Sequence, residues 1–299
     1  MAAQPRFGRV LTAMVTPFAS DGSLNLDMAA QIARRLVDEG NDGLVIAGTT
    51  GESPTLSDAE KLDLFAAVVD AVNVPVIAGT VGSDTAHSVD LTRRAADVGV
   101  HGVLALCPYY SRPSQAGIEA HLRAVAAATD LPLIIYDIPV RTGRKIDTAV
   151  LLRLAHEVPN VVALKDAAGN PAETARLIAA APESFEVYSG DDALTLPLLS
   201  VGAVGTVGVA THWTAPDHVE MFDCVAAGDL VGARAVNMRM LPSFAFETGE
   251  LAPNPIPAKA MLRTLGVDVG ECRLPIGVAP EWVADDARRV WAELVAARG

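Results

Sequence analysis

Cysteine is scarce in this chain of 299 residues: Cys107, Cys224 and Cys272 are its three, far apart and odd in number. No Cys-x-x-Cys or Cys/His ligand spacing occurs, so neither a zinc site nor a disulfide framework is indicated. A reducing compartment, the cytoplasm, is the expectation. Basic charge is also in deficit. With 23 Lys and Arg against 36 Asp and Glu, the formal charge is -13, which argues against nucleic acid or an anionic membrane as partner. Long hydrophobic runs are missing too. Nothing approaches the roughly 18 apolar residues of a membrane span. The Val10–Val15 patch behind Arg6 and Arg9 is too short for a signal sequence and soon meets Pro17 and Asp21. Among the basic residues lysine is rare, with only Lys61, Lys145, Lys165 and Lys259.

What is present is apolar residue, 51% of the chain, ample for a large core. Short apolar runs bounded by turn residues recur at Val10–Val15, Gly43–Ala47, Pro75–Ala78, Gly102–Leu106, Pro132–Tyr136, Val161–Lys165, Phe185–Ser189 and Ala203–Val207. Most are continuous, as expected of strands covered on both faces. Between them lie stretches with helical apolar spacing, such as Leu26–Glu39, Ser57–Val72, Thr85–Val98 and Gly117–Ala128. Ser57 followed by Glu60 is a capping-box pattern. Strands alternating with helices require a parallel sheet. Eight such units predict an α/β fold, a (β/α)8 TIM barrel, with a doubly wound open sheet as the alternative. No Gly-x-Gly-x-x-Gly follows the first strand, which weakens the open sheet. The strand pattern stops near residue 229, and Ala233–Leu241, Pro257–Leu265 and Trp282–Ala297 read as helices. The expectation is a barrel over residues 1–229 carrying the active site and a small C-terminal helical domain over 230–299.

Active sites of such barrels lie at the C-terminal ends of the strands. Lys165 closes the run Val161-Val162-Ala163-Leu164. A lysine held there is poorly solvated, its pKa falls, and its neutral amine can form a Schiff base with a carbonyl; the plainer reading is a lysine that reaches water or pairs with Asp166. Tyr136 closes the fifth run and puts a hydroxyl at the same rim. Gly48-Thr49-Thr50-Gly51-Glu52-Ser53 follows the second run and could cradle a carboxylate with hydroxyls and backbone N–H groups. Arg141 could clamp a carboxylate bidentately or form a surface salt bridge. Tyr109 and Tyr110 could cover a subunit interface or simply pack. Asp191 and Asp192 read as a helix cap rather than a metal site. The six histidines end no predicted strand, and none is given a catalytic role. Lysine, tyrosine and threonine loop on one rim converge on Schiff-base chemistry with a 2-oxoacid.

From Gly8 to Pro275 the chain resembles the dihydrodipicolinate synthase and N-acetylneuraminate lyase family of class I aldolases. The carriers are Gly48–Ser53, Pro108-Tyr-Tyr-Ser-Arg-Pro113, Tyr136-Asp-Ile-Pro139, Arg141-Thr-Gly143, Leu164-Lys-Asp166, Ser189-Gly-Asp-Asp192 and Asn254-Pro-Ile-Pro257. Thr49-Thr50, the paired tyrosines and Arg141 look like the synthase branch. The resemblance implies that Lys165 forms an imine with pyruvate and that Tyr136 moves protons, linked through Thr49 to Tyr110 of a neighbouring subunit. It implies that Thr50 and nearby amides, Gly51 among them, hold the pyruvate carboxylate. Arg141 would hold the carboxylate of L-aspartate 4-semialdehyde, the second substrate in lysine and diaminopimelate biosynthesis, with Gly190 and Val207 bordering the pocket. It further implies a homo-oligomer, a dimer of dimers, and neither metal nor organic cofactor. Asp137 and Val140 depart from the family pattern. Where lysine-inhibited members carry His, Asn and Glu, this chain has Lys61, Ser83 and His87, so weak or absent lysine inhibition is expected. The alternatives are an aldolase for 2-keto-3-deoxy sugar acids or N-acetylneuraminate, and a non-catalytic 2-oxoacid-binding protein.

Overall fold

The computed structural model describes residues 4–299. Eight parallel strands close into a barrel in chain order. They are β1 Val10–Ala13, β2 Gly43–Ile46, β3 Val76–Gly79, β4 Gly102–Leu106, β5 Leu133–Asp137, β6 Val161–Asp166, β7 Glu186–Ser189 and β8 Gly205–Gly208. The ring shuts where Leu11 of β1 meets Val207 of β8.

Helices follow each strand: α1 Leu26–Asp38, α2 Asp58–Val69, α3 Thr85–Val98, α4 Gln115–Ala126, α5 Pro139–Thr142, α6 Thr148–Glu157, α7 Pro171–Ala180, α8 Thr195–Leu199 and, after β8, α9 Thr211–Ala226. Their starts follow from local chemistry. The Ser57 hydroxyl accepts from the Glu60 N–H at 3.2 Å, and the Glu60 carboxylate accepts from the Ser57 N–H at 2.9 Å. Two of the donors that a helix start leaves unpaired are thereby satisfied. Asn25, Asp84, Ser114 and Asn170 supply the accepting half of this arrangement at α1, α3, α4 and α7.

Although the strand sequences read as continuous apolar runs, their side chains divide between two compartments. Leu11, Val45, Ile77, Leu104, Ile134, Ala163, Tyr188 and Val207 fill the barrel interior. Their neighbours in sequence, among them Leu44, Val76, Val103, Leu133 and Leu164, pack outward under the helices. This is the period of two of a strand, with both faces dry.

Three helices follow the barrel: α10 Leu230–Glu247, α11 Ile256–Thr264 and α12 Glu281–Arg298. The sequence predicts a helix ending at Leu241, before Pro242, but α10 runs through the proline to Glu247. Packing outweighs the lost N–H and the ring clash of a proline inside a helix. Ser243, Phe244 and Phe246 beyond it are buried. The indole N–H of Trp213 on α9 donates to Ser243 Oγ at 2.9 Å, and the Trp213 and Phe246 rings meet edge-on.

Candidate active site

The alternation along β5 and β6 decides what faces the barrel mouth. Ile134 and Tyr136 share one face of β5, and Ala163 and Lys165 share one face of β6. Tyr136 and Lys165 are register partners, so both side chains rise at the same level of the C-terminal rim. Each is only 5% exposed. Burial lowers the Lys165 pKa to about 8, with Arg141 adding to the effect and Asp192 and Glu247 opposing it. Burial also pushes the Tyr136 phenol upward, so its proton stays in place at neutral pH. Asp166, the residue after the lysine, faces the other way. Its carboxylate accepts from Thr174 Oγ1 at 2.5 Å and from the Ala168 N–H at 2.9 Å, which leaves Lys165 without it as a counter-ion.

Gly190 makes room for the lysine. A Cβ at this position would sit 2.9 Å from Lys165 Cγ, closer than ordinary carbon contacts allow. Thus the glycine after β7 is required by the path of the side chain it borders.

Two adjoining cavities, of about 340 and about 540 Å³, open at the rim and share Thr49, Tyr136 and Arg141 in their walls. The smaller one also contains Lys165, Thr50 and Gly190. Thr50 is fixed from the turn between α10 and α11: Asn254 Nδ2 donates to its hydroxyl at 2.9 Å. The loop itself is tied down at Glu52, which is fully buried in a left-handed backbone conformation (φ 55°). Its carboxylate meets Lys259 Nζ of α11 at 2.6 Å and accepts from the Arg273 N–H at 2.9 Å. Residues beyond 229 therefore shape the mouth as well as the barrel.

Three residues singled out in the sequence lie off the cavity walls. Gly51 is buried within its loop, where its carbonyl accepts from Thr16 Oγ1 at 2.7 Å. Val207 packs inside the barrel, and Val209 lines the cavity in its place. Tyr110 is 94% exposed with φ 69°, whereas Tyr109 lines the larger cavity. Within one chain the Tyr136, Thr49 and Tyr110 hydroxyls are not joined. Of the two departures from the family pattern, Asp137 turns outward: its carboxylate accepts from Lys145 Nζ and the Ile146 N–H, each at 3.2 Å. Val140 is 86% exposed at the rim.

Sequence reasoning missed a buried polar group beside Lys165. Asp191 is the cap of the turn after β7, its carboxylate accepting from the Ala193 N–H at 3.0 Å. Asp192 instead turns inward, accepts from the Val209 N–H at 2.7 Å and faces His218 Nε2 at 3.8 Å. Glu247, the last residue of α10, joins them at the cavity wall. Burial holds the Glu247 carboxyl well above the usual range, and Asp192 adds to the effect. The only signal in the sequence was an acid ending the apolar stretch Phe244-Ala245-Phe246 just past a proline.

Residues 6–291 match the model of the dihydrodipicolinate synthetase family. A 4-hydroxy-tetrahydrodipicolinate synthase of Symbiobacterium thermophilum is 49% identical over 97% of this chain and 98% of its own length. Among solved structures, a synthase of Cyanidioschyzon merolae with lysine bound superposes with a TM-score of 0.95 at 41% identity, over 98% of this chain and 99% of that one. A dihydrodipicolinate synthase of Bacillus anthracis gives 0.93 at 39% identity, over 97% and 99%.

Proposed function

The chain belongs to the dihydrodipicolinate synthetase family, and on that footing we propose how its rim carries out the 4-hydroxy-tetrahydrodipicolinate synthase reaction. It is an enzyme of the lyase type, and pyruvate and L-aspartate 4-semialdehyde are its substrates. The neutral Lys165 amine attacks the ketone of pyruvate. Water leaves as the imine forms, with Tyr136 supplying and recovering the proton. The imine nitrogen draws electrons from the pyruvate methyl group, a proton departs, and an enamine results. Its carbon adds to the aldehyde. The amine of the semialdehyde portion then displaces Lys165 by cyclising, which regenerates the free lysine. Covalent capture divides one hard step into easier ones, and the net by-product is one water.

The observation that carries this reading is the Lys165–Tyr136 pair: a buried amine with a pKa of about 8 beside a phenol that keeps its proton. Thr50 and the N–H groups of its loop suit the pyruvate carboxylate, and Arg141 at the shared wall of both cavities suits the second carboxylate. The exposed Tyr110 suits a role in a neighbouring subunit of a dimer of dimers, where it would meet Thr49. Three unpaired cysteines suit the cytoplasm, and no helix among the described residues is long and apolar enough to cross a membrane.

The test is incubation with pyruvate and borohydride, with and without aspartate semialdehyde, read by intact mass and adduct site. A pyruvate adduct on Lys165 that the semialdehyde discharges is the expected result. An adduct that persists would move the acceptor to a sugar-derived aldehyde, and no adduct at all would leave only 2-oxoacid binding.

A further inference from the structure

Arg141 lines both cavities and is exposed, and among the described residues its guanidinium has no hydrogen bond or ion pair of its own. Its backbone therefore sets where it can reach. That backbone belongs to a loop that leaves β5 after Asp137, turns through α5 and returns at Ile146 before α6. One side chain joins the two ends of this loop. Asp137 Oδ1 accepts from the Ile146 N–H and Oδ2 accepts from Lys145 Nζ, each at 3.2 Å. The ammonium also reaches the Ile146 carbonyl oxygen at 3.0 Å and Glu173 Oε1 of α7 at 3.3 Å. Asp137 is 1% exposed, so these bonds form out of water, where a hydrogen bond to a charge is stronger. Burial pushes its carboxyl up to about 6 and Lys145 opposes the rise, which keeps it ionised at neutral pH. Between the two ends the turn is braced. The Thr142 hydroxyl lies 3.1 Å from the Ile138 carbonyl oxygen and 2.9 Å from that of Arg144. A shift at the return end is thus carried to Arg141.

We infer that Asp137 is a positioning residue for Arg141: its carboxylate buckles the return of the loop to the end of β5 and so fixes where the guanidinium meets the second substrate. This rests on the reading of Arg141 as the clamp for the carboxylate of the semialdehyde. Asp137 lies on neither cavity wall, so it touches neither substrate. Gln115 Nε2 and Arg144 Nε tie the same loop to its neighbour after β4, through the Lys145 and Pro113 carbonyl oxygens at 2.8 and 3.0 Å. Asp137 ties it to β5, the strand that carries Tyr136. Lys145 acts through Asp137. Without the ammonium the buried acid takes up a proton, and its bond to Ile146 falls from charge-assisted to neutral. Loosening the buckle leaves pyruvate capture to Lys165 and Tyr136 and spreads the positions that Arg141 can occupy.

The experiment measures kcat/KM for aspartate semialdehyde and the rate of pyruvate trapping by borohydride on the full chain. The variants are Asp137→Ala and Asp137→Asn, each alone and beside Arg141→Ala. Alanine loses both bonds and should lower kcat/KM roughly tenfold, with trapping within about twofold of wild type. Asparagine keeps an oxygen for the Ile146 N–H and should recover to within about threefold of wild type. Beside Arg141→Ala, the loss of Asp137 should cost no more than about a further twofold, because the side chain it places is gone. Equal losses in trapping and in semialdehyde use overturn the proposal. So does the same loss in the Arg141→Ala background, an asparagine variant as poor as alanine, or an alanine variant with wild-type kinetics. Where Asp137→Ala does not fold, Lys145→Met weakens the same buckle. It should lose about threefold alone and nothing further beside Arg141→Ala; equal loss in both backgrounds, or none in either, overturns the proposal. Arg141→Ala with wild-type use of the semialdehyde faults the clamp itself, and the proposal falls with it.

Discussion

Lys165 and Tyr136 face each other across the β5–β6 ladder, with the lysine nitrogen 4.3 Å from the centroid of the tyrosine ring. The ring face attracts an ammonium, and Asp192 and Glu247 favour the charged form as well. Burial opposes all three and prevails, because a dry cavity penalises the charge more than these partners reward it.

That balance predicts a pH dependence. Below a pKa of about 8 the neutral fraction of Lys165 falls about tenfold per pH unit, so pyruvate trapping should slow in proportion. A profile flat from pH 6 to 8 would mean that the amine is not the titrating group. The same burial costs stability. The unfolded chain binds the lysine proton more tightly, so the penalty is full below the folded pKa and fades as pH rises toward the ordinary lysine value. It amounts to as much as about 3 kcal/mol. Lys165→Met should therefore abolish trapping while raising the melting midpoint at neutral pH; a lower midpoint would contradict the burial argument.

Gly190→Ala tests the seat of the lysine. The added methyl meets the Lys165 stem at Cγ and Cε, and the side chain must leave its place opposite Tyr136. Misplacement on that scale costs roughly a hundredfold in rate. We expect trapping to fall by that order with the fold intact by circular dichroism. Trapping at the wild-type rate would show that the lysine reaches its reactive position by another path.

Arg141→Ala should separate the two substrates. Imine formation with pyruvate needs no second carboxylate clamp, so trapping should persist. The loss should fall on kcat/KM for aspartate semialdehyde, by about ten- to a hundredfold for a charged hydrogen bond. Equal losses in trapping and in semialdehyde use would make Arg141 structural.

Glu52→Ala would leave Lys259 buried without its partner, since the two side chains are 0% and 1% exposed and meet at 2.6 Å. Breaking a buried pair from one side costs about 3–5 kcal/mol. Because Glu52 anchors the loop carrying Thr49 and Thr50, activity should fall with stability. A Glu52→Leu, Lys259→Met double variant should recover most of the lost stability in denaturant titrations. If the single variant unfolds at the wild-type midpoint, the pair does not hold the loop.

Much of the barrel was legible because each strand is a short dry run and each helix an amphipathic one. Lys165, Tyr136, Thr49, Thr50, Arg141 and Gly190 were legible because they lie at or just past strand ends, where this topology collects its side chains. Glu247 was not. It reaches the mouth only because α10 continues past Pro242, and what carries it there is contact of Phe244 and Phe246 with α9, a tertiary cause with no local signature. Asp192 was misread for a related reason. Two adjacent acids after a strand both look like caps, and only the fold leaves one as the half-buried cap and turns the other inward to the Val209 N–H.

Lysine itself should be a poor inhibitor. Lys61, Ser83 and His87 line the larger cavity. A bound amino acid would bring an ammonium group toward a wall that already holds Lys61. The nearby carboxylate of Asp58 is engaged, 2.9 Å from His87 Nε2 and 3.6 Å from Arg94. With a cationic side chain at position 61 and no glutamate at position 87, the remaining carboxylate of this wall is Asp84, which caps α3 by accepting from the His87 N–H at 3.0 Å. Millimolar lysine should leave the steady-state rate close to its uninhibited value, and marked inhibition at sub-millimolar lysine would contradict the argument. The converse is the sharper test. Lys61→His, Ser83→Asn and His87→Glu together remove the cation, release Asp58 and add a carboxylate, so this triple variant should become lysine-sensitive. If it stays insensitive while retaining wild-type turnover, the charges at these positions are not what governs lysine binding.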